Sequence, residues 1–338
     1  MALWTDLIDP ATLTGYARES LANIEARKGT LARWLPNREV ADIIVRFVAG
    51  QAGLVPEAKY RAYDAEPTIG KAPSGKRVIL ELPAVGQNIP VTEYAQLRNR
   101  NAADDAVLRS ILATTDRVVA AVADRVERLR GTVLTTGKAT IAELSPDGDD
   151  FGRNALHDIT APALWSVAGT DRLSQLQTWS DTYETDNGVA PGVILMSKRA
   201  LRALAAGTQF QTQLVNGGAR PATESEVAAI IAGHGLPEIV TYDRKGSAGR
   251  FTPDDRVFLL PSPVETDAWE ETELGATFWG QTLTSQDVDY AIEDGEQPGV
   301  VAGVYKNEKP PMIAEVISDA IALPVLANAD LSFVAKVL

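Results

Sequence analysis

The chain has 338 residues, no cysteine, two histidines (His157 and His234), and 45 acidic against 32 basic side chains, a formal charge of −13. Those totals exclude disulfides, thiolate nucleophiles and cysteine-ligated zinc, leave little histidine for acid–base or metal chemistry, and supply no lysine–arginine cluster for binding phosphates by counterion release. No apolar run reaches membrane-spanning length and the first residues lack a signal-peptide pattern, so the expectation is a protein without a membrane span, made in a cytoplasm.

Residues 1–39 read as an arm. Pro10 opens a short helix through Tyr16, Leu21 and Ile24, with Gly29 near its end, and the chain then runs extended past Pro36. Trp4, Leu7, Ile8, Trp34 and Leu35 fall at spacings that make no compact domain; such side chains more often pack on their own chain, but the length of the arm tilts the expectation towards a neighbouring molecule. Asp42 to Val48 is a strand closed by Gly50 and Gly53. From Leu54 to Pro90 proline and glycine accumulate. Tyr60 to Tyr63 and Arg77 to Leu82 alternate as two strands around a turn-rich tip, Asp64 to Lys76. Such a hairpin is too thin to bury a core alone.

Asp104 to about Leu134 is one long amphipathic helix. Leu108, Ile111, Thr115, Val118, Val122, Val126, Leu129 and Val133 recur in steps of three and four. Its length would be roughly 45 Å, and it needs a sheet or a partner laid along it. Asp104 and Asp105 at its start, and Arg125, Arg128 and Arg130 towards its end, complement the helix dipole. Asp124 and Arg128 read as a pair on the wet face. Gly131 is the one break in the stripe.

A short strand follows at Ala139 to Glu143. Thr170 caps a helix from Asp171 to about Tyr183, which Asp186, Asn187 and Gly188 end. Val193 to Met196 is a buried strand, Ser197 caps a helix from Lys198 to Ala206, and Thr223 with Glu226 forms a capping box for another that ends at His234 and Gly235. Strands are expected at Glu238 to Tyr242, Arg256 to Leu260, Ala276 to Leu283, Val300 to Tyr305, Met312 to Ile321 and Leu331 to Val337. The strand–helix alternation from Val193 to Leu260 suggests one α/β unit.

Motifs that carry chemistry fail on inspection. Gly70 to Arg77 nearly spells a phosphate-binding loop, but Arg77 stands where a magnesium-binding hydroxyl belongs and a strand follows instead of a helix. Asp147, Asp149, Asp150 and Asp158 resemble a calcium loop, yet Phe151 occupies a ligand position and DGDD is ordinary turn chemistry. His157 stands in a polar loop and His234 at a helix end, each without a catalytic partner at motif spacing. The acidic run Trp269 to Glu273 reads as a solvated edge. No catalytic, cofactor-binding or metal-binding residue is assigned. The expectation is not an enzyme.

The sequence of arm, projecting hairpin, long helix, α/β unit and returning strands resembles the major capsid proteins of tailed bacteriophages, and within them the lambda-type major capsid protein E family. Tyr94 to Arg100 is similar to the family's lead-in to its spine helix. Leu134 to Ile141 resembles the Gly-Lys turn and strand after it, and Trp165, the helix to Tyr183 and Val193 to Leu201 resemble the passage into the axial domain. Ile317 to Ala327 followed by Leu331 to Val337 resembles the family's closing strand, turn and final strand. The resemblance implies an α+β protein with the Hong Kong 97 capsid fold. It would comprise an N-arm (1–39), an extended loop (54–90), a peripheral domain with the spine helix (40–53, 91–187 and 306–338) and an axial domain (188–305).

It implies a structural subunit that self-assembles into hexamers and pentamers of an icosahedral virion shell around double-stranded DNA. The partners would be further copies of itself, a separate scaffolding protein, a portal and a decoration protein, with no membrane and no cofactor. An acidic surface suits a wall that encloses DNA without sticking to it. Some relatives lock the shell with a Lys–Asn isopeptide bond; Lys71 and Lys76 lie in the matching loop, but nothing marks an asparagine partner. Two other readings compete: an encapsulin-like compartment shell, and a cytosolic α/β enzyme using carboxylates such as Asp243 or Asp255.

Overall fold

The computed structural model describes residues 2–6, 8–49, 76–94, 104–213 and 218–338. The expected strand Tyr60 to Tyr63, its tip up to residue 75, most of the phosphate-loop-like motif, Leu7 and the lead-in from residue 95 lie outside them.

After a short strand β1 (Ala2–Leu3), helix α1 (Pro10–Lys28) starts where Asp9 accepts the Thr12 N–H at 2.8 Å and Pro10 presets the first turn. Over 19 residues it runs from Pro10 to the Gly29 cap, the bounds the sequence suggested. A 3₁₀ turn at Leu31–Arg33 leads to β2 (Asn37–Glu39). The arm is not a free arm. Trp34 and Leu35 are buried in the chain's main core, and Trp4 and Ile8 pack half-buried against a second apolar cluster that includes Leu13, Ile111 and Val304. The one-way burial preference of large apolar side chains wins here over the irregular spacing.

Strand β3 (Ile44–Ala49) pairs antiparallel with β4 (Lys76–Glu81), not with any strand inside the expected hairpin, so the projecting ribbon begins near residue 44. The next strand, β5 (Ala84–Val91), belongs to the body.

Helix α2 (Asp104–Thr136) spans 33 residues, about 50 Å. Ile111, Thr115, Val118, Val122, Val126 and Val133 are buried as the stripe requires. Its last turn holds no basic residue. Arg153 caps it instead, donating to the carbonyls of Val133, Leu134 and Thr135 at 3.3, 2.6 and 3.2 Å. Burial lowers the Arg153 guanidinium to about 10, and the carbonyls it holds are those a helix end leaves without partners. Gly131 is needed because a Cβ there would lie 2.1 Å from the Phe251 carbonyl oxygen.

Beyond α2, β6 (Lys138–Ile141) and β7 (Ser145–Asp150) form a bulged hairpin, so the DGDD turn is a strand in which Lys138 pairs with Asp150. Then come β8 (Asp158–Thr160) and α3 (Arg172–Asn187), capped by Asp171 rather than Thr170 and closed by left-handed Gly188. The α/β unit follows with β9 (Val193–Met196), α4 (Lys198–Ala205), α5 (Glu224–Gly233), β10 (Glu238–Thr241) and β11 (Arg256–Leu260). Ser197 caps α4, and Thr223 with Glu226 makes the capping box of α5. The remaining long strands are β12 (Gly275–Gly280), β13 (Val301–Lys306), β14 (Ala314–Leu326) and β15 (Phe333–Lys336).

Two sheets organise these strands. The six-stranded sheet runs β1-β13-β14-β12-β2, with β5 also on β14. Along β14, Ala314, Val316, Ala320 and Ala322 are buried in alternation, against Ile111, Val118 and Val119 at one end of the helix and Val122 and Val126 further on. That alternation is the period of a half-covered strand, and α2 is the cover. The five-stranded sheet runs β10-β9-β11-β15-β8. Its strand β9 pairs on both edges, parallel to β10 and antiparallel to β11, and is buried at every residue because both of its faces are covered by the apolar core. Sheet membership cuts across the sequence-based borders. β12 and β13, inside 188–305, join the sheet beneath α2, whereas β8 and β15 join the α/β unit.

Candidate functional site

Between the helix and the two sheets lies a buried charge cluster. Arg130, 1% exposed, donates through Nη1 to Glu25 Oε1 at 2.8 Å and Glu127 Oε2 at 3.2 Å, through Nη2 to Asn37 Oδ1 at 2.6 Å, and through Nε to Thr277 Oγ1 at 2.9 Å. Burial disfavours its charge, but Glu25 and Glu127 outweigh that and raise it above the usual arginine range. Glu127, equally buried, accepts the Leu31 N–H at 2.8 Å, the Thr30 hydroxyl at 3.1 Å and the Tyr242 hydroxyl. Arg244 reaches Asp124 and the Gly29 carbonyl, both at 3.0 Å. The sequence-based pair Asp124–Arg128 is replaced: Asp124 faces Arg244, and Arg128 donates to the carbonyls of Gly249 and Arg250. Each charged group of the cluster has an opposite partner, as a low-dielectric site demands, although Nε of Arg244 is buried without a hydrogen-bond partner. A signal existed in the sequence, since Glu127 and Arg130 sit three apart on the apolar stripe.

Two outward features remain. The ribbon β3–β4 buries Val45 and Leu80, which pair directly, while Ile79 on its other face is 60% exposed beside Arg46. Along α2 runs an open groove of about 840 Å³, lined by Val122, Val126 and Leu129, the start of β5 from Pro83 to Gln87, the β6–β7 turn up to Leu144, and Gly246 to Ala248. Leu144 itself is 67% exposed. Asp124, Arg125, Arg128 and Glu143 add charges to the lining.

His157, Asp243 and Asp255, singled out by sequence, have partners within the fold. His157 is not in a polar loop but fully buried. Its Nδ1 lies 2.7 Å from the Asp330 carbonyl oxygen, which can only accept, and its Nε2 lies 2.9 Å from Asp186. At His234 the backbone N–H, not the ring, closes α5 onto Ile230. Asp243 accepts the Lys198 N–H at 2.9 Å and pairs with Arg250. Burial opposes its charge, but these donors hold it below the usual carboxylate range. Asp255 pairs with Lys336. Arg38 stacks 3.8 Å over the Trp269 ring, so the expected solvated edge is anchored at that residue. Among the described residues no group of three histidine, cysteine or acidic side chains is placed to hold a metal, and no helix is long and apolar enough to cross a membrane.

The description "Phage major capsid protein E" belongs to the family model that matches residues 35–277, well over half of the chain. No curated protein matches the sequence. Among solved structures, a protein assigned as the capsid protein of a prophage in Escherichia coli CFT073 superposes with a TM-score of 0.61 at 15% identity, covering 98% of this chain and 99% of that one. A phage-related protein from Bordetella bronchiseptica RB50 gives 0.57 at 14% identity, covering 99% and 98%. At such identities the likeness speaks for the fold, which is the Hong Kong 97 capsid fold. With the family match over its central residues and a capsid fold along nearly its whole length, the chain belongs to the phage major capsid protein E family and is a structural subunit of a capsid shell.

Proposed function

We propose that this subunit closes icosahedral shells by joining copies of itself as hexamers and pentamers around double-stranded DNA, and that it does no catalysis. The observation that carries the reading is the ribbon β3–β4. It is two strands wide, its inner face is anchored by Val45 and Leu80, and its outer face presents Ile79 to solvent. A two-stranded ribbon is too thin to bury a core alone, and this one gains stability when another surface covers the exposed Ile79, which stands among the charges of Arg46 and Glu81. The groove along α2 offers such a surface on a neighbouring copy, apolar at its base and charged around it. Many modest contacts of this kind, repeated around a ring and across a shell, add by multivalency.

In this reading residues 1–39 are the N-terminal segment, and the extended loop expected at 54–90 takes in the ribbon β3–β4 and ends before β5, which belongs to the body. The peripheral domain takes 40–53, 91–187 and 306–338, and the axial domain 188–305. The family match favours a phage head over an enzyme-filled compartment. A net charge of −13 keeps the inner wall from adhering to DNA, and a scaffolding protein, a portal and a decoration protein complete the head, built in the host cytoplasm. Ile79→Asp tests the ribbon. The variant subunit should fold with unchanged circular dichroism and yield open sheets or free capsomers in place of closed shells. Normal shells from Ile79→Asp would remove the ribbon from the account.

A further inference from the structure

The Glu127 carboxylate ties together three parts of the chain that are far apart in sequence. From the N-terminal segment it takes Thr30 and Leu31, along its own helix it faces Arg130 at 3.2 Å, and from the α/β unit it takes the Tyr242 hydroxyl and lies 3.6 Å from Arg244. Arg244 then reaches back to Gly29 and across to Asp124. Further along α2 the same unit is seated twice more, by Arg128 on the carbonyls of Gly249 and Arg250, and by the backbone of Phe251 against Gly131. The α/β unit therefore meets α2 between Asp124 and Gly131 through directional bonds, several of them buried, beside the apolar packing of Phe251 with Leu129, Val133 and Leu134 in a shared core. Apolar surfaces attract without a preferred direction and tolerate sliding. Charge-assisted bonds in a low dielectric fix distance and angle together.

We infer that Glu127, Tyr242 and Arg244 are positioning residues that set the angle of the α/β unit on the long helix, and through that angle the curvature at which subunits join. The last step rests on the shell reading; the angle itself does not. Burial, reinforced by the Glu127 carboxylate, keeps the Tyr242 hydroxyl protonated well above the usual phenol range, so it remains a donor. Tyr242→Phe removes that donor and leaves the ring in place. Arg244→Lys keeps the charge but loses the planar fork that spans Gly29 and Asp124.

The chain has no cysteine, so Arg117→Cys on α2 and Arg202→Cys on α4, both at exposed positions, give a clean pair of spin labels on the full chain. Pulsed electron resonance should report one narrow distance in the parent and a broadened or displaced one in Tyr242→Phe and in Arg244→Lys, while both variants keep a cooperative melt. If Tyr242→Phe does not fold, Arg244→Lys decides alone. A lowered melting temperature with an unchanged distance distribution would make these residues merely stabilising and overturn the inference. Shells of the variants should then spread in diameter, and variant shells of parental diameter despite an altered distance would overturn the step from angle to curvature. A parent chain that builds no shells counts against the shell reading and leaves the distance result standing.

Discussion

Arg130 carries its charge into a place where its side chain is 1% exposed, and its donors are distributed over Glu25, Glu127, Asn37, Thr30 and Thr277. Removing a single partner from a buried ion pair leaves the other charges without compensation, which costs about 3–5 kcal/mol. Arg130→Met should therefore destabilise the isolated subunit by about that amount in a urea melt, far more than loss of an exposed helix arginine. A loss under about 1 kcal/mol would mean the cluster is not a structural joint. Arg130 also marks where sequence reading stopped. Its position among Arg125, Arg128 and Arg130 looked like complementation of a helix end, but the helix continues to Thr136 and Arg153 does the capping. A charge on the apolar stripe three residues from an opposite charge was visible. The partners on Glu25, Tyr242 and Arg244 were not, because they arrive through tertiary contacts that no local spacing encodes.

At the scale of elements, local chemistry was legible wherever the element closes on itself. The capping box of α5 forms as expected, with the Glu226 carboxylate held at about 2 first by Arg220 and then by the Thr223 N–H and hydroxyl. A carboxylate whose pKa falls on folding stabilises the folded form above its ordinary value of 4.5, and that contribution is lost as the pH drops towards about 2. Amide exchange should show Glu224–Gly233 losing protection across that window before the buried strands do, and Glu226→Gln should abolish the local pH dependence. Protection that stays flat down to about 2 would contradict the assignment. Strand pairing was less legible. Val193 to Met196 and Arg256 to Leu260 were recognisable as strands, yet nothing local shows that β15 enters beside β11, or that β4 pairs with β3. The N-terminal segment was misread for the same reason: Trp34 and Leu35 find their pocket in a core assembled from distant residues.

For the whole molecule, α2 is the common axis. The six-stranded sheet packs along it, the charge cluster joins the α/β unit to it, and the open groove runs between its Val122–Leu129 stretch and the sheet at β5. The projecting ribbon and that groove are two of the surfaces that the described residues leave open, and closed assembly is the state in which a neighbouring copy covers them. Electron microscopy of the full chain, co-expressed with the head-assembly proteins of its own phage, tests this claim most directly. The account predicts closed icosahedral shells together with rings of five and six subunits. Monodisperse single subunits in the presence of those partners, with neither rings nor shells, would contradict it.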